Sequence, residues 1–199
     1  MNWFALPSRR RAIALCMAVA ASAALLPLSS SAQGAAPRVK LTTSAGDIVV
    51  EVYPEKAPKS VENFLQYVQD KHYDGTVFHR VISDFMVQGG GFTADLKQKP
   101  TRPPVPLEAN NGLKNDRGAI AMARTSNPNS ATSQFFINTV NNANLNAPNP
   151  DGYGYTVFGK VVSGLDVLDK IRATPVGDQG MHQNVPKTPI TILKATLEK

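Results

Sequence analysis

The sequence predicts a mainly β protein, a barrel or sandwich of short strands accompanied by two amphipathic helices. Three observations carry this: a series of short β-like runs, two stretches of helical periodicity, and connections rich in Gly, Pro and Asn. Val39 to Thr43 and Asp47 to Tyr53 read as two strands joined by a Ser44-Ala45-Gly46 turn, a hairpin signal. Pro58 then opens a helix in which Val61, Phe64, Leu65 and Val68 recur at i, i+3, i+4 and i+7, ending near Asp70. Further strands are expected over Thr76 to Ile82, Phe85 to Gln88, Gly118 to Met122, Gln134 to Val140 and Thr156 to Val162. Gly164 to Ile171 reads as a second helix with Leu165, Leu168 and Ile171 inward, and Ile190 to Leu197 as a closing strand. Two connections are long. Gly89 to Arg117 carries Pro100, Pro103, Pro104 and Pro106, and Asn141 to Tyr155 is rich in asparagine. Loops of that length are places where binding sites sit.

The start of the chain differs in kind. Arg9, Arg10 and Arg11 precede an uncharged run from Ala12 to Leu28, and Ser29-Ser30-Ser31-Ala32 follows. Basic patch, apolar run and small residues, in that order, read as a secretory signal cut after Ala32. The competing reading, an uncleaved membrane anchor, meets a run broken by Pro27 and marginal for the ~30 Å of hydrocarbon. Lipid attachment at Cys16 is disfavoured because Leu15 stands where a small residue is needed. Residues 33–37 would be a flexible lead and 38–199 the folded domain. The whole chain carries 21 Lys and Arg against 15 Asp and Glu. Removing residues 1–32 takes three arginines and no acid, which leaves 18 against 15 and a net charge of +3. That is weak support for nucleic-acid binding. The only cysteine leaves with the signal, so the mature chain has no disulfide, thiolate nucleophile or Cys-based metal site.

Two segments carry the chemical information: Phe78 to Gly90, and Ser133 to Ile137. In the second, strand alternation puts Gln134 and Phe136 on one face and Phe135 and Ile137 on the other. That face is either an amide beside an aromatic wall for a ligand, or a core phenylalanine beside a satisfied glutamine. An arginine within an apolar strand, Arg80, is likewise either functional or a surface ion-pair residue. Gly89-Gly90-Gly91 has the spacing of neither glycine-rich nucleotide motif. His72 and His182 stand alone and read as surface residues.

The segments FHRVISDFMVQGGGFT, MARTSNPNSATSQFFI and YTVFGKV, with VENF in the first helix, resemble the cyclophilin family of peptidyl-prolyl cis-trans isomerases. The similarity runs in order from about residue 38 to 197, and the chain resembles the periplasmic bacterial members. It implies a closed eight-stranded antiparallel β-barrel capped by two α-helices, with a substrate groove on the outer surface. It also implies roles: Arg80 as catalytic cation, and Phe85, Met86, Phe136 and Leu145 around the proline ring. Gln88 and Gln134 would hold the substrate backbone, Ala123 and Thr125 would form the groove wall, and His79 would give structural support. Tyr155 falls where many members carry a histidine and would rim the pocket. Asn144 stands where many eukaryotic members have a tryptophan that helps bind cyclosporin, and Arg124 replaces the usual asparagine of the groove wall.

The expected function is isomerisation of X-Pro bonds in exported proteins in the periplasm, assisting folding. The substrates would be proline-containing polypeptides, met by a monomer with no cofactor, metal, nucleic acid or stable membrane association. Two other classes remain. A non-catalytic peptide-binding chaperone would not need Arg80, and a hydrolase using His79 as base would need an elbow motif that is absent.

Overall fold

A computed structural model describes residues 36–198. The expected signal over 1–32, Cys16 included, and residues 33–35 of the lead lie outside the described residues.

The strands β1 (Arg38–Thr43) and β2 (Gly46–Val52) form the expected hairpin. They are followed by α1 (Pro58–Gln69), β3 (Thr76–Ile82), β4 (Met86–Thr93), β5 (Ala119–Met122), β6 (Phe135–Asn138) and β7 (Val157–Ser163). Next come α2 (Leu165–Arg172), a hairpin of β8 (Val176–Gln179) and β9 (His182–Pro186), and β10 (Thr191–Leu197). Eight strands close in the order β1-β10-β3-β4-β6-β5-β7-β2, every neighbour antiparallel. The closed eight-stranded barrel with two helices is therefore the fold. Closure leaves its strands without free edges.

Alternation fills the barrel. Val39 and Leu41 of β1 and Ile48, Val50 and Val52 of β2 are fully buried, and their partners on the other face are not. Both helices add apolar stripes to the same core: Val61, Phe64 and Val68 from α1, Val167, Leu168 and Ile171 from α2. Phe64 is the aromatic centre, with ring centroids 5.3 Å from Tyr73, 5.8 Å from Phe135 and 5.2 Å from Phe158. The helix stripe departs from expectation at Leu165, which is 38% exposed. Val167, Leu168 and Ile171 form the arc that meets the barrel, and Leu165 falls at its edge.

The start of α1 is completed from outside the helix. Pro58 occupies the first turn and Ala57 has no side chain to cap with. The Glu108 carboxylate instead accepts the backbone N–H of Lys59 at 3.0 Å and of Ser60 at 2.8 Å. It thus satisfies two of the helix's free donors and places a negative charge at the positive end.

The main departures from the sequence reading are at β4 and in the segment after α2. Phe85 belongs to the β3–β4 turn, its N–H bonded to the Ile82 carbonyl at 3.1 Å, and β4 continues to Thr93, shortening the long connection. The β8–β9 hairpin was not expected, because Gly177, Asp178, Gln179 and His182 give no apolar alternation. It lies over β3: Val77 lines a small cavity together with Val185 and Pro186, and His79 and His182 both pack on Phe92. β3 is consequently buried on both faces, and its pattern does not alternate.

Candidate functional site

The site begins with an irregularity in β3. Phe78 pairs with Gly89 of β4, but Arg80 pairs with Gln88, so two steps on one strand match one on the other. This is a β-bulge, and it re-aims the residues that follow it. Phe78 and Val81 both point into the core, three residues apart instead of two. Arg80, which strict alternation from Phe78 would send inward, lies outward opposite Gln88. The row continues across the sheet: Gln88 pairs with Phe136 of β6, Phe136 with Ala121 of β5, and Ala121 with Val157 of β7. Cation, amide and aromatic ring are thereby aligned on the outer face, and the alternation expected for Gln134, Phe135, Phe136 and Ile137 is observed.

That row borders a cavity of about 120 Å³. Arg80, Phe85, Met86, Gln88, Ala123, Phe136, Leu145 and Tyr155, named from the sequence, all line it, as does Arg124. Three of these, Met86, Phe136 and Leu145, also belong to a separate apolar cluster with Ala119, Ala121 and Val157. Arg80 is half-buried and takes part in no ion pair among the described residues. A cation on an apolar wall acts more strongly than in open water.

Buried asparagines hold the lining in place. Asn142 donates to the Phe85 carbonyl and to Asn138 Oδ1, both at 2.7 Å. Asn138 donates to Asn115 Oδ1 at 3.2 Å, and Asn115 donates to the Leu145 carbonyl at 3.2 Å. The asparagine-rich connection is therefore a scaffold whose network fixes Phe85 and Leu145. Within it, Ala143–Leu145 forms one turn of 3₁₀ helix with Asn144 exposed and Leu145 buried.

Gln134 and Thr125 do not line this cavity. They belong to an adjoining polar one of about 410 Å³, which shares Gln88, Ala123 and Arg124 with the first and adds Gln98, Thr101, Ser130 and Thr132. Gln88 Nε2 donates to Gln134 Oε1 at 2.9 Å and joins the two. Gly91 permits this arrangement, since a Cβ there would lie 2.5 Å from Gln134 Cγ. The sequence reading missed Gln98, Thr101, Ser130 and Thr132, which come from loops with no periodic signal.

Arg124 is held differently from a substrate-facing residue. Its guanidinium pairs with Asp151 at 2.8 Å, donates to the carbonyls of Gly154 and Thr125, and stacks 4.4 Å from the Tyr155 ring centroid. The Asp151 carboxyl lies below the usual carboxylate range, chiefly because Arg124 bonds its ionised form.

Of the histidines, His79 is buried, stacks on Phe92 with centroids 4.6 Å apart, and has its pKa lowered to about 4. Burial is the main cause, followed by the nearby charges of His182 and Arg80. An imidazole neutral at ordinary pH, sitting in the bulge, suits the supporting place expected for it. The surface reading of the other two is corrected. His72 is half-buried against Tyr67 and Tyr73, with Nε2 at 3.3 Å from the Gly90 carbonyl, and His182 packs edge-on to Phe92. For His182 the deciding neighbour, Phe92, is distant in sequence, whereas His72 packs between the nearby Tyr67 and Tyr73.

Comparison with known proteins agrees with this geometry. Residues 38–197 match the family described as cyclophilin type peptidyl-prolyl cis-trans isomerase/CLD. The chain is 56% identical over 161 residues to peptidyl-prolyl cis-trans isomerase cyp18 of Streptomyces antibioticus, covering 80% of this chain and 97% of that one. It is 51% identical over 163 residues to peptidyl-prolyl cis-trans isomerase B of Escherichia coli, covering 81% and 99%. Among solved structures, a cyclophilin type isomerase of Cryptosporidium parvum, crystallised in the presence of the dipeptide Ala-Pro, superposes with a TM-score of 0.67 at 28% identity, covering 81% of this chain and 99% of that one. With the barrel, the groove on its outer face and a family match over almost all the described residues, this chain belongs to the cyclophilin-type peptidyl-prolyl cis-trans isomerases.

Proposed function

We propose that this peptidyl-prolyl cis-trans isomerase acts through Arg80, which directs its guanidinium at the prolyl nitrogen of a substrate whose ring sits in the Phe85, Met86, Phe136 and Leu145 cavity. The observation that supports this reading is the bulge at His79 and Arg80, which sets a half-buried cation beside a cavity of about 120 Å³ that Phe85, Met86, Phe136 and Leu145 line. Rotation about an X-Pro bond meets a barrier of ~18–20 kcal/mol and takes tens to hundreds of seconds unaided. No substrate bond breaks, so a nucleophile, metal or cofactor is not required. Loss of amide resonance is what has to be favoured. A hydrogen bond to the prolyl nitrogen stabilises its pyramidal form, in which the lone pair is localised, and the apolar walls exclude the water that would screen it. Raising turnover from ~0.01 to ~1000 per second takes roughly 7 kcal/mol at 1.36 per tenfold. Gln88 and Gln134 orient the substrate backbone, Ala123 and Thr125 form the wall it runs along, and Tyr155 closes the rim.

The substrates are proline-containing polypeptides. We further take them to be exported proteins folding in the periplasm, served by a monomeric domain over 38–199 after loss of residues 1–32. The basic patch and apolar run at the start of the chain support export. A net charge of +3 for the mature chain gives nucleic acid no particular attraction.

The deciding experiment is a protease-free isomerisation assay on residues 33–199 with an Ala-Pro peptide. Turnover that saturates with peptide is the expected result. Peptide binding without turnover would replace this mechanism with that of a non-catalytic chaperone.

A further inference from the structure

The bonding of Arg124 is met largely from within the chain. Nη2 donates to Asp151 Oδ1 and to the Gly154 carbonyl, both at 2.8 Å, Nε donates to the same carbonyl at 3.1 Å, and Nη1 donates to the Thr125 carbonyl at 2.9 Å. Four of the five guanidinium N–H groups are thus spent, and the side chain is only 2% exposed although it borders both cavities. Its partners are not scattered. Gly154 immediately precedes Tyr155 and Asp151 lies four residues before it, while Thr125 belongs to the groove wall, so Arg124 stitches the wall to the connection that ends in Tyr155.

Gly154 is shaped for this contact. It has φ of +74°, and a Cβ there would lie 2.5 Å from the Ala147 nitrogen, so only glycine turns its carbonyl to Arg124 without displacing the loop. Tyr155 then lies between the guanidinium, 4.4 Å from its ring centroid, and Phe136, whose centroid is 5.7 Å away and nearly perpendicular at 79°. Apart from these, its backbone N–H donates to the Leu145 carbonyl at 3.0 Å. A cation over a desolvated ring is an attractive contact with a defined geometry.

We propose that Arg124 is a positioning residue for the proline cavity: it clamps Tyr155 edge-on to Phe136, so that the cavity wall is complete before substrate arrives. The proposal rests on reading that cavity as the proline site. A wall formed in advance spares the substrate the cost of ordering it, and such a contribution appears in KM more than in kcat. The arginine that replaces the family's usual asparagine would accordingly act through Tyr155 and not by touching the residues that flank proline.

The test compares wild type with Arg124→Met, Arg124→Lys, Tyr155→Leu and the double variant Arg124→Met/Tyr155→Leu. Arg124→Met keeps the bulk of the side chain, and we expect KM to rise about tenfold with kcat within about twofold. Arg124→Lys, which retains the cation but not the fork, should recover part of the loss and covers the case in which the Met variant fails to fold. In the Tyr155→Leu background, Arg124→Met should add almost nothing, because both changes remove the same wall. The Tyr155 ring resonances, read in the free proteins, should broaden in Arg124→Met. A lowered Tm with unchanged KM and an unchanged ring spectrum would overturn the proposal, as would additive effects in the double variant. If wild type itself shows no turnover, the isomerase mechanism falls, and the ring spectrum then decides for or against the clamp.

Discussion

Arg80 stands opposite Gln88 across β3 and β4, whereas Phe78, two residues earlier, stands opposite Gly89, one residue later. The extra residue of the bulge turns the arginine from the core side of β3 to the groove. Removing the guanidinium should therefore leave the barrel intact and disable the site. Arg80→Ala is expected to lower kcat/KM for an Ala-Pro peptide at least tenfold with little change in Tm. Arg80→Lys should recover little, since a point charge does not reproduce a planar fork. Turnover measured beside a thermal melt checks both, and unchanged turnover would remove Arg80 from the mechanism.

His79, buried in the same bulge, makes stability pH-dependent. Its pKa is about 4 in the native state, lowered first by burial, and near 6.5 in an unfolded chain. Between those values the unfolded chain binds the extra proton, so native stability falls as pH drops from about 6.5 to about 4 and this contribution levels off outside that window. The ceiling is on the order of 3 kcal/mol at 1.36 per tenfold. Denaturant unfolding between pH 7 and pH 4 should show a shallower decline in His79→Gln than in wild type. Identical declines would mean that His79 does not titrate this way.

Glu108 caps α1 from 48 residues away in sequence. Glu108→Ala leaves two backbone donors without that partner, at a cost of about 1 kcal/mol, or about 3 °C in Tm for a domain of this size. Calorimetry reads the shift. A melt at the wild-type temperature would show that water replaces the carboxylate without loss.

The exported protein should begin near Gln33, as the Arg9 to Arg11 patch, the apolar run and Ser30-Ser31-Ala32 imply. N-terminal sequencing of the extracytoplasmic fraction would show it. Recovery with Met1 still attached, in membranes, would contradict export by cleavage.

Asn144 is exposed beside Leu145, which is buried in the cavity wall. Wild type is expected to bind cyclosporin weakly, and Asn144→Trp to bind it some thirtyfold more tightly with little change in turnover. An indole that buries ~80 Å² more apolar surface contributes about 2 kcal/mol at ~25 cal/mol per Å². Titration of both proteins with the drug decides it. Tight binding by wild type would refute the role given to Asn144.

The sequence by itself determined what local pattern and motif can carry. Alternation put Gln134 and Phe136 on one face of a strand and Phe135 and Ile137 on the other, Pro58 and the Val61, Phe64 and Val68 spacing specified α1, and the segment from Phe78 to Gly90, through its resemblance to the family, named Arg80, Phe85, Met86 and Gln88 of the cavity lining. Each of these depends on neighbours a few positions apart. The tertiary structure decided the rest. The bulge that aims Arg80 is a mismatch of register between two strands, and register is not written in either strand alone. Glu108 meets the N-terminal turn of α1, Arg124 meets Asp151 and Tyr155, and the polar β8–β9 hairpin meets β3 through the folded barrel. Such contacts join groups tens of residues apart, and the chain encodes them through the global packing that brings those groups within reach.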